Sequence, residues 1–90
     1  MFFEWDQVKN VTNSGKHGLI FEEAYSFEWD EAVLIDRSRH GDGEPRFAAI
    51  GLLYGKLHTV IFTRRGDAVR LISMRRSNAQ EEKCYEKKGY

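Results

Sequence analysis

The sequence predicts an α+β fold: two N-terminal helices packed on a mainly antiparallel sheet of four to five strands, closed by a C-terminal helix. Three observations predict it. Apolar residues recur at helical spacing up to about residue 29, and the period shortens towards two from residue 32 onward. The later strand candidates are separated by loops of hairpin length, whereas a parallel crossover takes a dozen or more residues. Ninety residues give room for one core, so residues 1–90 form a single domain.

Met1 to Trp5 reads as a short, aromatic-rich strand ending at Asp6, whose carboxylate can cap a helix over residues 7–14. Val8 and Val11 give that helix a narrow apolar stripe, and Gly15 and Gly18 supply its stop. A second helix is expected at about 20–29, where Phe21, Ala24, Tyr25 and Trp29 share one helical face. Ala32 to Asp36 is a short apolar run, and Ser38 to Gly43 a loop by composition. Phe47–Leu53, Leu57–Thr63 and Ala68–Met74 are strand candidates joined through Tyr54-Gly55-Lys56 and Arg64-Arg65-Gly66-Asp67. Ser77-Asn78-Ala79-Gln80 has the form of a capping box and opens a last helix at about 77–88. That helix is polar almost all round, so core burial alone does not hold it.

The formal net charge is zero, yet residues 1–45 carry four basic and ten acidic side chains, and residues 46–90 carry ten and four. A chain divided in this way either offers one part to a polyanion or neutralises itself across the folded core. No apolar run reaches the length of a membrane span. The first residues have neither the basic nor the apolar region of a secretion signal. The single cysteine, Cys84, cannot form an internal disulfide, which fits a cytoplasmic setting.

Arg64, Arg65, Arg70, Arg75 and Arg76 sit on or beside the last two strand candidates. Strict alternation places Val69, Leu71, Ser73 and Arg75 on one side and Arg70, Ile72, Met74 and Arg76 on the other. Antiparallel pairing is expected to draw Arg64 and Arg75 together at one rim. Guanidinium groups grip phosphate oxygens with paired hydrogen bonds, so such a cluster suits a phosphodiester; ordinary solvated edge arginines are the alternative. His17, His40 and His58 lack the spacing of a zinc site, and His40-Gly41-Asp42 shapes a loop more readily than it binds a metal. His17 either faces the C-terminal end of its helix or serves in acid–base chemistry.

Several strings together resemble one family. Phe3-Glu4-Trp5-Asp6, Lys9, Asn13, Lys16-His17-Gly18 and Phe21-Glu22-Glu23-Ala24 are similar to the opening of BrnT-type toxins of bacterial type II toxin–antitoxin modules. His40, Asp42-Gly43-Glu44, Arg46-Phe47 and Ala49-Ile50-Gly51 resemble the middle. Val60, Phe62-Thr63-Arg64, Arg70, Ile72-Ser73, Arg75-Arg76, Glu81 and Tyr85-Glu86 resemble the end. The resemblance implies a RelE-like fold and an endoribonuclease that arrests translation. It also implies a BrnA-like ribbon-helix-helix antitoxin, through which alone operator DNA would be reached to repress the operon. Two departures stand out: Ser77 to Cys84 lacks the arginines usual at the start of the last helix, and Asp30-Glu31 replaces an Asp-Pro.

Cleavage without a metal or other cofactor requires a base for the 2′-hydroxyl, cations for the charged phosphorus and an acid for the leaving 5′-oxygen. Arg64 and Arg75 are the candidates for phosphate and transition-state binding. Arg65, Arg70, Arg76 and Lys16 are further candidates for holding the RNA backbone. Glu81 matches the family's helix glutamate and acts either as base or as the group that orients an arginine. Tyr85, one turn later, either donates a proton or stacks on a base; alternatively the Glu81/Tyr85 pair only holds the last helix to the sheet. The loss of arginines near residues 79–83 points to the competing expectation, a weakened or inactive binding module of the same fold.

Overall fold

In the computed structural model, which describes residues 1–38 and 43–88, five strands form one sheet. They are β1 (Phe2–Trp5), β2 (Val33–Asp36), β3 (Phe47–Leu53), β4 (Lys56–Arg65) and β5 (Ala68–Arg76), in the order β1-β5-β4-β3-β2. Helix α1 (Gln7–His17) follows β1, and helix α2 (Ala79–Lys87) follows β5. His40 and Asp42 of the loop considered above lie outside the described residues.

Strands β2 to β5 pair antiparallel, as their short connections require. The two-residue turn Tyr54-Gly55 has positive φ at both positions, 52° and 79°, the backbone of a tight hairpin. The sheet is nevertheless mixed, because β1 pairs parallel with β5, Phe2 opposite Ala68 and Trp5 opposite Leu71. No hairpin constrains β1, which reaches β5 across most of the chain.

Helix α1 begins as expected, with the Asp6 carboxylate accepting from the backbone N–H groups of Val8 and Lys9. It runs through Gly15 and stops at Gly18, which is left-handed with φ 70°. Its inward face is not the predicted valine stripe: Val8 and Val11 are 74% and 65% exposed, while Asn10 and Asn13 are buried. The reason lies in β5. Beyond Leu71 the outer edge of that strand has no strand neighbour. Asn13 replaces one, accepting from the Met74 N–H and donating to the Met74 and Leu19 carbonyls, each at 3.0 Å. Asn10 accepts from the Phe21 N–H at 2.8 Å and donates to Glu22.

The expected helix over 20–29 is instead two 3-10 turns, Phe21–Ser26 and Trp29–Glu31. Phe21, Ala24 and Phe27 are buried and Tyr25 is exposed, so the inward period is three, that of a 3-10 helix. This segment lies flat on the sheet at Gly51, where a Cβ would stand 2.9 Å from the Phe27 ring and 3.2 Å from the Ala32 Cβ. The core fills the space between the segment and the sheet, with Phe21, Phe27, Leu53, Val60, Phe62, Leu71 and Met74 at its centre. Trp29 stacks on Phe3 and meets Phe27 and Phe62 edge-on.

Helix α2 is capped by Asn78 rather than Ser77. The Asn78 side chain accepts from the Glu81 N–H, and Glu81 accepts from the Asn78 N–H, both at 2.9 Å. Ser77 instead shares a 2.8 Å hydrogen bond with Thr59. Among the described residues, no helix is long and apolar enough to cross a membrane.

Candidate nucleic-acid interface

The sheet face opposite the core takes its side chains from alternate positions: Arg37 just beyond β2, Arg46 just before β3, Thr59 and Arg65 on β4. On β5 the alternation is broken. Ile61 pairs with Ser73 but Phe62 pairs with Leu71, so Ile72 is an extra, bulged residue. The bulge corrects the strict alternation read from the sequence. Leu71 and Met74 both turn into the core, and Arg70, Ser73 and Arg75 share the opposite face. Five arginines, 37, 46, 65, 70 and 75, therefore belong to one face, and two of them, Arg37 and Arg46, are not among the site candidates drawn from the sequence. Their signal was parity: Arg37 is in step with Ile35, and Arg46 with Ala48 and Ile50.

Arg64 and Arg75 do not meet. Arg64 pairs with Val69 and Arg75 with Thr59, five residues apart along β4, about 17 Å. Arg64 also follows Val60 and Phe62 onto the core side. Antiparallel pairing brings the end of β4 to the start of β5, the reverse of the expected rim. Arg76 lies on that same core side, exposed, donating to the Leu57 carbonyl at 3.3 Å.

Around Arg75 the site is densely bonded. Its Nη1 and Nη2 donate to the two carboxylate oxygens of Glu81 at 2.7 and 2.8 Å. Glu81 is 2% exposed and also accepts from Thr59 Oγ1 and the Asn78 N–H, both at 2.9 Å. Arg37 stands 3.6 Å from it. The Arg75 hydrogen bonds, chiefly, hold the Glu81 carboxyl at a pKa of about 2 against burial, which opposes them. Arg75 is raised by the same bonds. Its contacts with Glu81 and the Arg76 carbonyl take three of the five guanidinium N–H groups, and its side chain remains 28% exposed. Tyr85, half-buried one turn along α2, carries the Lys88 ammonium 4.4 Å above its ring. Lys88 also contacts the Glu31 carbonyl and carboxylate.

At the other end of the face a cleft of about 160 Å³ is lined by Lys9, Glu44, Arg46, Thr63, Arg65, Arg70 and Ile72. Arg65 makes a forked contact with Glu44, 2.9 and 2.7 Å, and Arg70 donates to Glu4 at 2.7 Å. A neighbouring cleft of about 250 Å³ between α1 and β5 brings Lys16 and His17 beside Ile72 and Ser73. On the core side, a groove lined by Met1, Phe3, Tyr25, Phe27 and Trp29 has Glu28, Asp30 and Glu31 as its charged side chains. Among the described residues, no three His, Cys, Asp or Glu side chains are grouped to hold a metal ion.

Residues 5–81 match the family model described as a ribonuclease toxin, BrnT, of type II toxin–antitoxin systems. Tyr85 lies beyond the matched segment. The 1.1 Å crystal structure of the Brucella abortus ribonuclease toxin BrnT superposes with a TM-score of 0.68 at 31% identity, covering 87% of this chain and 99% of that one. No curated protein matches the chain.

Proposed function

The chain belongs to the BrnT family of ribonuclease toxins of type II toxin–antitoxin systems, and from that premise we propose that it cleaves RNA on the arginine-bearing face of its sheet without a metal ion. The observation that carries this reading is the placement of five arginines on one face, with Arg75 fixed from behind by a buried carboxylate. The exposed edge of its guanidinium then meets a phosphate already oriented, and stabilises charge as it grows on phosphorus. Glu81 is the positioning residue for Arg75 rather than the base: its oxygens are engaged, and a carboxyl with a pKa of about 2 holds a proton too weakly to take one from a hydroxyl. His17, lining the cleft beside Ser73, is a side chain of the right class for that step. Tyr85 stacks on a base or protonates the leaving oxygen. Arg65, Arg70 and Lys16 track the backbone, while Arg64 and Arg76, on the core side of the sheet, take no part in this reading.

In this reading the toxin acts in the cytoplasm, arrests translation and is neutralised by a BrnA-like ribbon-helix-helix antitoxin that carries the complex to operator DNA. Cleavage is expected to survive EDTA and to leave a 2′,3′-cyclic or 3′-phosphate with a free 5′-hydroxyl. Arg75→Ala is expected to remove toxicity with the fold retained. Chelator-sensitive cleavage leaving 5′-phosphates, or full toxicity in the Arg75 variant, contradicts the proposal.

Two observations favour a second reading, a binding module without activity: the carboxylate nearest Arg75 is engaged by its neighbours, and the start of α2 is poor in positive charge. Expression alone separates the two. Growth arrest relieved by the neighbouring gene supports the toxin, and indifference supports the module.

A further inference from the structure

The forked Arg65–Glu44 pair repeats the chemistry of Arg75–Glu81 in the opposite environment. Glu81 is buried and receives hydrogen bonds from three residues. Glu44 and Arg65 are about half exposed, at 51% and 49%, and Arg65 is the partner that holds Glu44. An exposed ion pair contributes little to stability and exchanges readily. A phosphodiester presents two oxygens to a guanidinium in the same fork as a carboxylate does. Around this pair stand three more cations, Lys9, Arg46 and Arg70, with the Thr63 hydroxyl. The hydroxyl donates to the Pro45 carbonyl and so ties the Glu44 segment to β4. Four cations and one carboxylate converge on a cleft with room for a phosphate, and its charged lining suits one.

We propose that this cleft is a phosphodiester subsite for RNA flanking the cut, and that Glu44 is its resident competitor, occupying Arg65 until a backbone phosphate displaces it. The inference rests on the reading of this face as an RNA surface. Thr63, opposite Arg70, lies four residues along β4 from Thr59, opposite Arg75, about 13 Å. An extended strand therefore touches both places through non-adjacent phosphates. Glu44 then sets a threshold: isolated anions compete poorly with a tethered carboxylate, whereas a polyanion held elsewhere on the face delivers its phosphate at high effective concentration.

The test is a salt series of anisotropy titrations with a labelled single-stranded DNA oligonucleotide, which lacks the 2′-hydroxyl and stays intact. Glu44→Gln keeps the side chain's size and removes its charge. It is expected to bind about three- to fivefold more tightly at low salt, with a log–log salt slope steeper by about 0.7. In an Arg65→Gln background the same change is expected to give no gain. Asp30→Asn, an equal charge change in the groove on the core side, is expected to leave affinity within about twofold. Unchanged or weaker binding by Glu44→Gln overturns the subsite, as does a gain that persists without Arg65 or appears equally in Asp30→Asn. Wild-type protein with no salt-dependent affinity overturns the RNA-face reading as well; binding that ignores Glu44 overturns the subsite alone.

Discussion

Glu81 shows how one side chain can serve the fold and the site together. Its carboxylate closes the capping box of α2, bonds Thr59 in the middle of the sheet and orients Arg75. Removing one partner of a buried, hydrogen-bonded ion pair leaves the other charge stranded, so Glu81→Ala is expected to cost about 3 kcal/mol in urea unfolding at neutral pH. The pH dependence has a definite sign. The carboxyl drops from an ordinary 4.5 in the unfolded chain to about 2 in the fold, so its contribution is complete above pH 4.5 and is lost as pH falls towards 2. Glu81→Gln should therefore start less stable and show a shallower acid limb. An unchanged acid limb would assign the loss of stability to other carboxylates. Activity separates its two possible roles: as a positioning residue its replacement lowers the rate without moving the acid side of the pH–rate profile, whereas loss of the base would move it. The sequence brought Glu81 forward through resemblance but left base and positioner undecided, because burial and the number of its partners are properties of the packed state.

At the scale of elements, the readings that held were those governed by neighbours in sequence. Asp6 before α1, Gly18 after it and the hairpin turns each depend on a few adjacent residues. The caps stand where they were expected, and the turns lie within the expected loops but are only two residues long, Tyr54-Gly55 and Gly66-Asp67, because Lys56, Arg64 and Arg65 belong to β4. The readings that changed were governed by distant partners. Val8 and Val11 are spaced as an inward stripe but stay mostly exposed; the open edge of β5 demands a hydrogen-bonding partner, and Asn13 supplies it. Phe21, Ala24 and Phe27 fit a period of three as well as other residues of the segment fit 3.6, and packing on Gly51 decides for the former. The bulge at Ile72 has no composition that announces it, yet it determines which arginines share a face. The contrast within α1 is directly measurable. Asn13→Ala strands the buried Met74 N–H and carbonyl and is expected to cost about 2–3 kcal/mol, while Val11→Ser is expected to stay within about 0.5 kcal/mol of wild type. Urea midpoints in the reverse order would show that α1 is held by its valines.

For the whole molecule, the opposed charges of the two halves of the chain take on a spatial meaning different from their order in sequence. The basic face draws on both halves: Lys9, Lys16 and Arg37 come from the acidic one, and Arg46, Arg65, Arg70 and Arg75 from the basic one. Residues 20–36 carry six acidic side chains and no Lys or Arg, and much of that stretch covers the core on the other side of the sheet. A molecule with zero net charge thus presents a polyanion with a field of fixed direction, attractive from one side and repulsive from the other. Position on the fold, rather than membership of the basic half, should then decide what each arginine contributes. Arg46→Gln and Arg64→Gln remove the same charge and sit at strand ends, but only Arg46 is on the open face. In salt titrations with a single-stranded oligonucleotide, Arg46→Gln is expected to lower the log–log slope by about 0.7 and weaken binding at low salt. Arg64→Gln is expected to leave the slope close to wild type, since its charge lies across the sheet and is screened over about 10 Å at 0.1 M salt. Equal losses from both variants would mean that the strand wraps the rim of the sheet instead of lying along one face.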